Sequence, residues 1–177
     1  MATAYSKIQR NFWETDEARE MTPEEKYFWM YLQTNANVNT LGCYAFRMRK
    51  AMDETGYNRE TLEKLLQRME QVLRILYDEG TKEVFLLHWA EGNWNKKTAT
   101  LRALAADLKE IQSKTLKETV KTLLLKNGIF TEEEVEKAEK TAPSAQERNE
   151  KEQRGTTGNK RSGEGEGEGE GEGEGEK

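Results

Sequence analysis

Residues 46–89, FRMRKAMDETGYNRETLEKLLQRMEQVLRILYDEGTKEVFLLHW, carry the pattern on which the fold turns. Phe46, Ala51 and Met52 have helical spacing, and Gly56 stands where a left-handed C-cap ends a helix after Thr55. Asn58 is the next N-cap, and Leu62, Leu65, Leu66, Met69 and Val72 form one apolar stripe over Arg59 to Val72. Two helices joined by a short link containing glycine make a helix-turn-helix. Leu73 to Tyr77 and Val84 to Trp89 then read as strands around Asp78-Glu79-Gly80-Thr81-Lys82-Glu83, whose composition favours a turn. A helix-turn-helix continued into a hairpin is a winged helix, and Ile75, Val84 and Leu86 give the hairpin an apolar face to dock on the helices.

Working outward, Thr22-Pro23-Glu24-Glu25 predicts a helix start, with Thr22 as cap, Pro23 in the first turn and Glu25 closing a capping box. The helix runs through Tyr27, Phe28, Trp29, Met30, Tyr31 and Leu32 to about Thr34. Residues 35–39 form a loop, Leu41 to Ala45 a short strand, and Ile8 to Trp13 an extended or turn-like lead-in. Beyond the hairpin, a helix is predicted over Thr98 to Gln112, and another is opened by Thr115-Leu116-Lys117-Glu118. Asn127-Gly128 closes that one, with Ile129 folding back on its last turn. A short final helix starts at Thr131 and ends near Lys140. All four tryptophans, every tyrosine and every phenylalanine except Phe130 precede residue 95, which places the core there. The expected organisation is therefore a mainly α chain in three parts: a winged-helix domain over 1–95, a helical extension over 96–141, and a disordered Gly/Glu-rich tail over 142–177.

Charge is unevenly spread. The formal net charge is -5, but Gly163 to Lys177 alternates Gly with seven Glu before one Lys, so everything before it is close to neutral. The low pI belongs to the tail. No apolar run is long enough to span a bilayer and no leader is visible, so no membrane partner is expected. Cys43 is the only cysteine, which rules out a disulfide within the chain and suggests a reducing, cytoplasmic setting. With one Cys and one His, His88, the chain lacks an ordinary zinc set, and no Gly-rich phosphate loop precedes Lys and Ser/Thr. Neither enzymatic activity nor a cofactor or metal is expected.

The early Phe12-Trp13 pair and the Thr22-Pro23-Glu24-Glu25 opening into an aromatic helix that ends Leu32-Gln33-Thr34-Asn35 form a recognisable combination. Leu41-Gly42, Gly56-Tyr57 between the two helices, and the Trp89 and Trp94 exit complete it. In this order the segment resembles the N-terminal domain of DnaD-like replication proteins of the phage and prophage type. The resemblance covers about half of the chain. It implies a primosome component that takes part in replication initiation through DNA and protein binding, with a helicase loader or initiator among its partners and with self-association. Longer members carry a second, DNA-binding helical domain with its own Tyr and Trp motif. No Tyr or Trp follows Trp94 here, so helicase loading by this polypeptide alone is not implied.

On the winged-helix reading, the helix after Asn58 lies in the major groove with the hairpin beside it. The candidate DNA contacts are Arg59, Lys64, Gln67 and Arg68 on that helix, Arg47, Arg49 and Lys50 on the preceding one, and Lys82 on the hairpin. Against this, Glu60, Glu63 and Glu70 interleave with the cations, and residues 1–95 hold 12 Lys/Arg against 15 Asp/Glu, where a duplex binder normally shows a basic footprint. The 96–162 stretch is mildly basic, and its lysines are weaker candidates for phosphate contact. Leu101, Leu104, Leu108 and Ile111 make a seam of about two heptads that either folds back on the domain or pairs copies of the chain. Two other functions fit the same pattern: a winged-helix transcriptional regulator and a protein-only assembly module.

Overall fold

The computed structural model describes Ile8 and residues 10–141, and the tail expected over 142–177 lies outside the described residues. A tight 3-10 turn, Arg10–Glu14, takes the turn-like alternative for the lead-in, and a one-turn helix α1, Asp16–Glu20, follows it. Thr15 explains the helix: its hydroxyl accepts from Ala18 N at 3.2 Å. Helix α2, Pro23–Thr34, has the expected capping box: Thr22 N donates to Glu25 Oε2 at 2.8 Å, and Glu25 N donates to Thr22 Oγ1 at 3.2 Å. Strand β1, Cys43–Ala45, follows a loop ordered by Asn39, whose amide group bonds Gly42 N, Cys43 N and the Cys43 carbonyl.

Helices α3, Met48–Thr55, and α4, Arg59–Gln71, are joined through Gly56 at φ +78°. Asn58 caps α4 by accepting from Thr61 N at 2.9 Å. Leu62, Leu65, Leu66 and Met69 bury the stripe read from the sequence, each contributing roughly 2 kcal/mol in apolar transfer. The hairpin is β2, Ile75–Asp78, and β3, Glu83–Leu86, shorter than expected at its outer ends and one residue longer in each strand at the turn. Leu73 is not in the strand. It sits at φ +52° and ends α4 in a Schellman turn, with Leu73 N on Glu70 O and Arg74 N on Met69 O, both at 2.9 Å.

Strands β1, β3 and β2 form one antiparallel sheet in that order, with Tyr44 and Tyr77 both paired with Val84. Because β3 is central and covered on both faces, all four of its residues are buried, Glu83 included. Trp89 was expected to continue this strand. Instead it opens a one-turn helix, α5, Trp89–Asn93, which swings the indole back over the β1 loop. There Nε1 donates to the Thr40 carbonyl at 3.0 Å.

Helices α6, Thr98–Glu110, α7, Lys114–Lys126, and α8, Glu132–Thr141, complete the fold. The cap of α7 is Ser113, two residues before the expected start: its Oγ accepts from Leu116 N at 3.2 Å. Gly128 at φ +60° closes α7, with Ile129 N on Leu124 O at 2.9 Å. These three helices share a single hydrophobic cluster with α1–α4 and the sheet, so the boundary expected near residue 95 runs through a common core. The Leu101 seam is accordingly intramolecular. Leu104 and Leu108 are fully buried, Ile111 is buried and Leu101 is half-buried within the one chain, which leaves no apolar stripe there for pairing copies. Two buried carboxylates tie the layers together: Asp107 accepts from Leu41 N at 3.2 Å, and Glu83 accepts from the α7 N-terminus.

Candidate nucleic-acid interface

Residues of α3, α4 and the hairpin with its four-residue turn, Glu79–Lys82, line a common groove. This groove, of about 190 Å³ between α4 and the hairpin, brings together Arg59, Gln67 and Lys82, three of the eight candidates. It is also lined by Glu63, Glu70 and Glu79, so its cations are outnumbered by carboxylates. Residue spacing along α4 sets this arrangement. Arg59, Glu63, Gln67 and Glu70 recur at steps of three and four along α4 and therefore share a face. Lys82, at φ +56°, closes the hairpin turn and is fixed there by Phe46 N, which donates to its carbonyl at 2.7 Å.

Each cation of the groove has an acidic neighbour. Arg59 lies 3.5 Å from Glu63, and Lys82 donates to Glu79. The Glu79 hydrogen bond holds the Lys82 ammonium above its ordinary pKa, while desolvation and nearby Arg59 pull the other way. Outside the groove, Lys64 bonds Glu60 at 2.7 Å, which lowers the Glu60 carboxyl below its usual range. Exposed pairs of this kind are weak and are screened by salt. Arg47 and Arg49 are exposed on α3, with Lys50 half-buried 3.6 Å from Glu54. These three do not line the groove, although Met48, between Arg47 and Arg49, does.

Arg68 belongs elsewhere. Its Nε donates at 3.0 Å to Glu25 Oε1, whose carboxylate is buried and already completes the α2 capping box. Arg68 thus tethers α4 to the start of α2, a role its place on a charged stripe did not reveal. Tyr77, which is not among the eight candidates, also lines the groove, and its ring packs edge-on against Phe46. Its place two residues after buried Ile75, on the same face of β2, is the signal that turns it toward the helices.

A larger depression, about 540 Å³, lies on a different part of the surface between the lead-in and α5. Phe12, Trp29 and Trp89 floor it, with Arg74, His88 and Glu91 at its polar side. The Arg74 guanidinium stacks over Trp29 at 5.7 Å from the ring centroid, and exposed His88 approaches Glu91 at 3.4 Å. No cluster of three or more His, Cys, Asp or Glu suited to a metal occurs among the described residues, and no helix among them is long and apolar enough to cross a membrane. Comparison of the chain with protein-family models, curated proteins and solved structures found no match.

Proposed function

We propose that residues up to about 95 form a winged helix of the DnaD-like type, and that the chain acts in the cytoplasm as a replication initiation accessory by binding DNA and protein, without catalysis. The observation that carries the reading is the order of elements. A helix, a short strand, two helices joined at a glycine and a hairpin follow one another, and the first strand pairs on the hairpin's second. That order sets α4 beside the hairpin, where Arg59, Gln67 and Lys82 meet, with Arg47, Arg49 and Lys50 on α3. Cations held by exposed glutamates suit weak contact with the phosphate backbone better than reading of base edges.

Fluorescence anisotropy of the full chain with duplex and single-stranded DNA over a salt series tests this. Weak, sequence-tolerant binding that falls steeply with salt is expected, and Arg47→Ala with Arg49→Ala lowers the slope of log K on log salt by about 2. Absence of any binding at low salt overturns it. The second reading, a protein-only assembly module, is favoured by the charge balance of the groove. It predicts multimers in light scattering together with that absence.

A further inference from the structure

The hairpin turn is ordered from outside the hairpin. Asp78 closes β2, and its two carboxylate oxygens face opposite ways. Oδ1 accepts from Gly80 N at 2.8 Å and from Thr81 N at 3.1 Å, which shapes the turn that ends at Lys82. Oδ2 accepts from the hydroxyl of Ser113, the cap of α7. Ser113 is 2 % exposed, so its side of this bond is shielded from solvent, and its Oγ also accepts from Leu116 N. Next to it, Glu83 receives Ser113 N at 2.7 Å and Gln112 N at 3.0 Å. The start of α7 therefore grips both strands of the hairpin at its open turn.

We propose that Ser113 is a positioning residue for the hairpin turn: acting through Asp78, it sets the conformation of Glu79–Lys82 and hence the place of the Lys82 ammonium beside Arg59. The hydroxyl fixes the rotamer of Asp78, and that rotamer alone lets Oδ1 meet the Gly80 and Thr81 amides. The same bond is the largest of the effects that hold the Asp78 carboxyl below its usual range. The Glu83 contacts use backbone amides and survive loss of the hydroxyl, so α7 stays docked when Ser113 is changed. The significance for DNA rests on the proposed function; the positional role does not.

Hydrogen–deuterium exchange of the full chain separates the two. In Ser113→Ala the Gly80 and Thr81 amides should exchange about tenfold faster while those of α4 and β3 keep their protection. Ser113→Thr, which retains a hydroxyl, should restore the slow rate. Asp78→Asn provides a second route: it keeps the Oδ1 acceptor but presents an amide to Ser113, and it should loosen the same two amides even if Ser113→Ala does not fold. Unchanged exchange at Gly80 and Thr81, or a loss of protection shared equally by all amides, overturns the proposal. Anisotropy on the same variants reads the other half, since release of Lys82 should lower the salt slope by about 1. Faster exchange with unaltered DNA binding upholds the role of Ser113 and removes the hairpin from the DNA interface.

Discussion

Gly42 and Leu73 show two opposite ways for a left-handed residue to be placed. Gly42 sits at φ +77° under the Trp89 indole, where an added Cβ would come within 2.4 Å of the ring. Gly42→Ala should cost about 3 kcal/mol, from the backbone conformation and the displaced indole together, seen as a lowered urea midpoint. Leu73 holds φ +52° with its side chain 67 % exposed, so its backbone strain is matched by little burial. Leu73→Gly should raise stability by about 0.5 kcal/mol in the same assay. Asp78 gives a pH test. Ser113, then the Thr81 and Gly80 amides, hold its carboxyl below the ordinary 3.8, so the folded state gains from the ionised form. That gain is whole above this pH and is lost as pH falls through the folded-state value. The urea midpoint of the native chain should therefore drop more steeply below about pH 4 than that of Asp78→Asn.

Among the elements, α4 is the one on which site and core both depend. Asn58→Ala removes its cap and should cost about 1 kcal/mol in thermal or urea unfolding, with Arg59 left on a frayed first turn. Its start was legible because Asn-Arg-Glu before an apolar stripe is chemistry that acts within four residues. Its end was not. Helices α4 and α7 finish in the same Schellman geometry, but α7 announces it with Asn127-Gly128 whereas α4 uses Leu73, a residue that reads as strand. The start of α7 failed in a similar way. Thr115 and Glu118 look like a capping box, but the cap falls on Ser113 because Glu83, thirty residues upstream, already receives the amides there. The site divides likewise. The shared face of Arg59 and Gln67 follows from helical periodicity, and the pairing of Arg59 with Glu63 and of Lys82 with Glu79 is local as well, whereas the withdrawal of Arg68 to Glu25 follows from a contact distant in sequence.

For the whole molecule, the helices after residue 95 are a wall of the core. Leu104→Ala, at a fully buried position, should cost about 2–5 kcal/mol by the cavity it leaves. A chain ending at Asn95 would leave Leu41 N without Asp107 and Glu83 without its clasp. It should lose the cooperative urea transition of the longer chain, and retention of that transition would show the first 95 residues to be self-sufficient. What the sequence by itself determined is local: the Thr22 capping box, the closing glycines Gly56 and Gly128, the periodic stripes of α4 and α6, and a hairpin with a polar turn. Each of these is a free-energy preference expressed over a few residues. Only the tertiary structure decided that the Leu101 seam folds inward, that Trp89 leaves the strand, and that Arg68 becomes a tether. Those outcomes depend on which surfaces meet once the sheet has formed, and burial of a leucine or a carboxylate is worth the same to the chain wherever in the sequence its cover comes from.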